Sequence, residues 1–185
     1  MGRTLSLVDS LALGDLHVYL GRALRVEDGS VRLIAGSGVL AVYVAVLHPA
    51  GLLDESPTVL GLRTFAITAT EPFDVVVPVR SLLMRVDGLL EASTSDVAEP
   101  VLLTLPLEVS TVTWAAISPP RGNWGALPSI LGSQLEGIAR LGIEAVAEAV
   151  PGEVGEQIVR KARTEIWGRP IEGLDFVPQG AASAA

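Results

Sequence analysis

The chain is 185 residues long, sets 13 Lys and Arg against 21 Asp and Glu, and carries a formal net charge of -8 with no cysteine. With 49% hydrophobic and 18% charged residues, it is too apolar for a chain held disordered by charge and too acidic to neutralise a nucleic-acid backbone. It has no thiols for disulfides or thiolate zinc sites, and His17 and His48 are too few for an all-histidine centre.

Near the N-terminus, Leu5, Leu7, Leu11 and Leu13 alternate with mostly polar or small residues, the period of a short strand or arm. No secretory signal is expected there, because Asp9 interrupts the apolar stretch and no small-residue cleavage site follows. Asp15 is a candidate helix N-cap, since its carboxylate can accept from the open N–H groups of a first turn. After it, Leu16, Tyr19, Leu20, Ala23 and Leu24 form one apolar helix face. Asp28-Gly29 signals a turn. Val31 to Ala35 then reads as a strand, Gly36-Ser37-Gly38 as a tight turn, and Val39 to Leu47 as the returning strand of a hairpin.

Leu33 to Leu53 contains no charged side chain and is nominally long enough to span a bilayer. Gly36-Ser37-Gly38 and His48-Pro49-Ala50-Gly51 break it, leaving the strand-length apolar run Val39 to Leu47. No membrane span is therefore expected. Thr58 to Thr70 carries one strand or two, split near Gly61, and Phe73 to Val77 another. Pro78 suits a first helical turn, and Val79, Leu82, Leu83, Val86, Leu89 and Leu90 mark the apolar face of a helix ending near Glu91. Val101 to Leu105 and Leu107 to Ile117 read as strands bent at Pro106.

Ser118-Pro119-Pro120-Arg121-Gly122-Asn123-Trp124-Gly125 is the strongest break in the chain. Beyond it the period is helical. Leu131, Leu135, Ile138, Ala145 and Val146 share a face that runs to about Val150, and Gly142 on that face either weakens the helix or marks a close packing contact. A last helix runs from about Glu153 to Ile166 with Val154, Ile158, Ala162 and Ile166 inward, ended by Trp167-Gly168-Arg169-Pro170. This order predicts an α+β fold, with an antiparallel or mixed sheet from the first two thirds packed with helices and the last two helices C-terminal. The expectation is one domain over 1–185: 1–118 mostly sheet with two helices, 126–168 helical, and 177–185 a flexible tail with nothing to bury.

Motifs that carry chemistry are missing from the sequence. It has no G-x-S-x-G elbow, no Walker loop around its one lysine, Lys161, and no G-x-G-x-x-G opening a helix. The carboxylate pairs Glu71/Asp74, Glu91/Asp96 and Glu144/Glu148 read as solvated faces and strand or loop edges rather than an acid–base pair. His17 and His48 read as boundary histidines. No catalytic residue, metal ligand or cofactor is assigned.

The best candidate for function is the Ser118 to Gly125 loop. Trp114 and Trp124 bracket it, Arg121 and Asn123 occupy its tip, and proline stiffens it, which lowers the ordering cost of binding. Trp and Arg are also the residue types most enriched at interface hot spots. Trp167 and Arg169 repeat the combination at a helix end, so the candidate binding set is Trp114, Arg121, Asn123, Trp124, Trp167 and Arg169.

Asp15-Leu16, Tyr19-Leu20-Gly21-Arg22, Val31-Arg32-Leu33, Pro119-Pro120-Arg121-Gly122-Asn123-Trp124 and Trp167-Gly168-Arg169-Pro170 together resemble an uncharacterised family of actinobacterial cytoplasmic proteins. The resemblance implies a cytoplasmic protein of unknown function and brings no catalytic residue with it. The expectation is a non-enzymatic interaction or assembly protein that binds a protein partner or itself through the Pro-Pro-Arg loop. The rival is an enzyme or small-molecule-binding domain with an anion pocket lined by Arg121 and Arg169. Neither nucleic acid nor a membrane is expected as a partner, since the chain is acidic and none of the expected helices is notably basic.

Overall fold

The computed structural model describes residues 3–51, 53–68, 71–92, 99–116, 119, 122–123, 125–126, 128–150, 152 and 155–184. The fold is α+β, with antiparallel strand pairs and two helices in the first part of the chain and further helices toward the C-terminus. The chain, expected as one domain, divides into two compact units. They are Met1–Val44 with Leu62–Ala115, and Ala45–Gly61 with Ala116–Ala185.

The first unit draws on β1 (Thr4–Leu7), α1 (Ser10–Val26), β2 (Ser30–Gly36), β3 (Val39–Leu47), β4 (Val59–Ala66), β5 (Phe73–Pro78), α2 (Val79–Ala92) and β6 (Val101–Thr104), and the division falls within β3 and β4. The main sheet has the order β4-β3-β2-β5. β2 pairs antiparallel with β3 through the expected hairpin, closed where Gly36 faces Val39. Its two turn residues, Ser37 and Gly38, have φ of 52° and 78°. Positive φ at both positions gives the twist that flanking strands require, and a glycine takes it without strain. β2 pairs antiparallel with β5 along its other edge.

Alternation along these strands separates two faces. Val31, Leu33 and Ala35, Leu40, Val42 and Val44, and Phe73, Val75 and Val77 meet Leu13, Leu16 and Leu20 of α1 and Val79, Leu82 and Val86 of α2 in one buried core. On the second face, Arg32 is buried too. Its Nε and Nη2 donate to the two carboxylate oxygens of Asp74, each at 2.7 Å, and Nη1 donates to the Ala115 carbonyl oxygen at 3.0 Å. β1 and β6 form a separate antiparallel pair, and Thr68 N donates to Ser6 O at 2.9 Å beside it.

Several expectations are corrected here. The first helix begins earlier than read, because its N-cap is Asp9 rather than Asp15: Oδ1 accepts from Ala12 N at 2.7 Å. Asp15 instead lies within the helix and meets Arg63 Nη2 at 2.8 Å. Leu11 and Leu13 accordingly belong to α1 and not to an N-terminal strand. Gly61 does not split β4. The expected strand from Leu107 to Ile117 is absent over its described residues. Leu107 to Val112 is irregular, tied by Val109 N to Val76 O at 2.8 Å, and ends in a short 3-10 helix at Thr113–Ala116. Single bonds to Val76 and Arg32 hold this segment where a ladder was expected.

Leu82→Asp should destabilise the first unit by on the order of 4 kcal/mol or more, because it places an unpaired carboxylate in the core. Leu83→Asp should cost clearly less, since Leu83 packs only partly buried at the core edge. Chemical denaturation of both variants measures the difference, and equal losses would put the α2 face in the wrong phase.

Candidate functional site

The second unit contains α3 (Gly132–Ala149), α4 (Glu156–Trp167), β7 (Pro170–Ile171), β8 (Leu174–Pro178) and α5 (Gly180–Ala184). α3 packs on α4 and α5. At its start the Gln134 side chain turns back, and Oε1 accepts from Leu131 N at 3.2 Å. Leucine offers no side-chain acceptor in return, so only half of a reciprocal cap forms. The inward face of α3 holds Leu135, Ile138, Gly142, Ala145 and Val146, as the spacing predicts, whereas Leu131 stays exposed. On α4 the inward residues are Val159, Ala162, Ile166 and Trp167; Ile158, expected inward, is exposed.

Gly142 is the close contact that its place on the apolar face suggests. A Cβ there would lie 3.1 Å from Trp167 Nε1 and 3.2 Å from Cδ1. A side chain there would crowd the indole, so glycine lets Trp167 come this close to α3. The Arg163 guanidinium lies 5.2 Å from the ring centroid, a cation–π distance. The segment expected as a flexible tail at 177–185 forms, over its described residues, the end of β8 and then α5, with Gly180 and Ala182 buried. Gly180 lies against Trp167. A run of small residues can bury itself where its backbone comes close to a neighbouring residue, here the Cβ and carbonyl oxygen of Trp167.

Three residues after Trp167 the chain enters the β7–β8 hairpin, which turns at Glu172-Gly173 with Gly173 at φ 80°. Ile171 and Leu174 on either side of the turn are buried. Between this hairpin and the N-terminal half of α3 lies an open groove of about 580 Å³. Ile138 and Leu141 come from α3, Ile171 and Leu174 from the hairpin, and Pro128 and Ile130 from the segment before α3. Gln134, Gln179 and Glu172 supply its polar groups. Such a volume is in the range of ligand-binding clefts, and the lining has their usual chemistry, an aliphatic floor with a few polar groups. It can shelter an apolar body and hydrogen-bond a polar group beside it.

The residues named from the sequence fall as follows. Trp114 sits half-buried in the 3-10 helix, in the first unit. Asn123 is exposed with φ 60°, a left-handed conformation that asparagine tolerates. Arg121 and Trp124 lie outside the described residues. Trp167 is 5% exposed and taken up by packing on Gly142, while Arg169, after the helix, is exposed. His17 Nε2 meets Asp87 Oδ1 at 2.9 Å between α1 and α2, and Asp74 is held by Arg32. Asp54 accepts hydrogen bonds from Ala50 N and from the backbone and hydroxyl of Ser56, which hold its carboxyl below the usual carboxylate range. Among the described residues no three His, Asp or Glu side chains cluster for a metal, and no helix is long and apolar enough to cross a membrane.

Sequence reasoning missed the groove because it missed the β7–β8 hairpin. The signal was Ile171-Glu172-Gly173-Leu174, two large aliphatics around a turn-forming glycine.

The two parts of the Trp-Gly-Arg-Pro segment separate by mutation. Trp167→Ala should cost about 3–5 kcal/mol of stability, and Arg169→Ala should stay within about 0.5 kcal/mol, as exposed positions do. Urea unfolding of both variants checks this, and a neutral Trp167→Ala would contradict the packing described.

Residues 1–107 match a family model described as Domain of unknown function (DUF8010), and residues 119–185 match a second, Domain of unknown function (DUF8185). No curated protein and no solved structure matches the chain.

Proposed function

We propose that this chain, which belongs to the DUF8010 family, is a non-enzymatic interaction protein that self-associates through its C-terminal unit. One observation carries the reading. In that unit Leu53, Leu131, Leu141, Ile143, Ile158 and Phe176 are all more than half exposed, against nine buried hydrophobic residues among those described. The first unit also exposes single apolar side chains, but its core of 21 buried residues outnumbers them by three to one. Isolated exposed leucines are ordinary, and apolar side chains that join into a contiguous patch mark an interface. Covering one such side chain is worth about 1.5–3 kcal/mol. The Pro-Pro-Arg-Gly-Asn-Trp loop adds Arg121 and Trp124, residue types suited to an interface centre. The resemblance to actinobacterial cytoplasmic proteins supports a cytoplasmic setting and the same origin.

Size-exclusion chromatography with light scattering at micromolar concentration tests the reading. The expected mass exceeds that of one 19.3 kDa chain. Ile143→Glu or Phe176→Glu, each at an exposed position, should lower it with the helical circular dichroism unchanged. A wild-type chain that remains monomeric throughout would overturn the proposal.

A further inference from the structure

Ion pairs within the chain occupy Arg3, Arg32, Arg63, Arg80, Arg160 and Lys161. Arg22 and Arg25 of α1 are different: both are exposed, and among the described residues neither meets a carboxylate. At 3.6 residues per turn they fall on one stripe with Leu11, Asp15 and Val18, opposite the buried Leu13, Leu16 and Leu20. Arg63 meets Asp15 at 2.8 Å, so the stripe's unmatched charge is positive, beside two exposed aliphatic side chains. The outward face of α3 is its counterpart. Glu136, Arg140, Ile143, Glu144 and Ala147 lie exposed within about 100° of one another around that helix. Two carboxylates there stand against one guanidinium, and Ile143 among them is 57% exposed. Two copies of the α3 face set against each other would double that excess of carboxylate. Set on the α1 stripe, the same face meets cations beside apolar surface.

We propose that the outward face of α3 in one copy of the chain docks on the α1 stripe of a second copy. Ile143 packs beside Val18, and the α3 carboxylates face Arg22 and Arg25. The proposal rests on the reading of this chain as self-associating and names the surface that the C-terminal unit grips. α1 belongs to the first unit and α3 to the second, so the two contacting surfaces are different. Such a contact is heterologous: each copy gives α3 to one neighbour and α1 to another, which builds rings or open chains rather than a closed two-fold dimer.

The test is complementation between two full-length variants, followed by light scattering at micromolar concentration. One variant carries Arg22→Glu with Arg25→Glu and loses the α1 stripe; the other carries Ile143→Glu and loses the α3 face. All three positions are exposed, so both variants should keep the circular dichroism of the wild type. Each alone should have the 19.3 kDa mass of one chain. An equimolar mixture should form a pair and stop there, because the first variant still offers α3, the second still offers α1, and neither can extend the assembly. Val18→Glu, at another exposed position of the stripe, should replace the double variant with the same result, which keeps the test valid if the double variant folds poorly. An α1 variant that assembles like the wild type would overturn the α1 assignment and leave self-association standing. A mixture of folded variants that stays at single-chain mass would overturn the heterologous contact. A wild-type chain of single-chain mass would overturn both readings.

Discussion

The indole of Trp167 resting on the bare backbone of Gly142 sets the geometry on which the second unit depends. A tryptophan buries some 150–250 Å², so the closeness of this approach decides how near α4 comes to α3. Any side chain at position 142 would start 3.1–3.2 Å from the ring. Among the described residues the indole N–H has no hydrogen-bond partner, at a cost of about 1–3 kcal/mol for such a buried donor. The arrangement therefore stands on packing and on the Arg163 guanidinium over the ring. Since β7 begins only three residues after Trp167, the contact that spaces the helices also fixes where the hairpin departs. Both walls of the groove follow from it.

Arg32 does comparable work in the first unit. A buried guanidinium is costly unless its donors are met, and this one is met by both oxygens of Asp74 and by the Ala115 carbonyl. The hydrogen bonds to Asp74 outweigh burial and hold it charged. The pair covers the sheet face opposite the helices and tethers the irregular segment after β6, which has no ladder of its own. Tyr19 shows the same economy in the main core: its hydroxyl donates to the Val42 carbonyl at 3.3 Å, and burial keeps it from ionising in the ordinary tyrosine range.

What could be read from the sequence was what local periodicity dictates. Period-two alternation placed β2, β3 and β5, and the Gly-Ser-Gly turn placed their hairpin. The 3.6-residue stripes placed α2 and α3 and singled out Gly142. The failures share a physical cause, which is that the deciding partner was distant in sequence. Leu107 to Ile117 alternates like a strand but over its described residues forms no ladder, and it is pinned at Val109 by Val76 and at Ala115 by Arg32 instead. The last residues looked unable to bury anything, yet Ala182 is buried in the short helix α5. Asp15 had the chemistry of a cap, but Asp9 stood closer to where the chain first turns. At the candidate site, the aromatic–basic composition pointed to Trp167, whose indole serves packing, while the groove beside it is built from aliphatics and glutamines that no motif distinguishes.

The functional account needs α3 to turn a fixed face outward, set by the Trp167–Gly142 contact. A double-mutant cycle of Gly142→Ala and Trp167→Leu, followed by urea unfolding, tests this most directly. If the indole occupies the space a Cβ would take, Gly142→Ala destabilises the wild-type chain. In the Trp167→Leu background the same change becomes neutral or stabilising, since alanine favours a helix over glycine by about 1 kcal/mol. The account predicts a coupling energy of at least about 1 kcal/mol. An effect of Gly142→Ala that is the same in both backgrounds would contradict it.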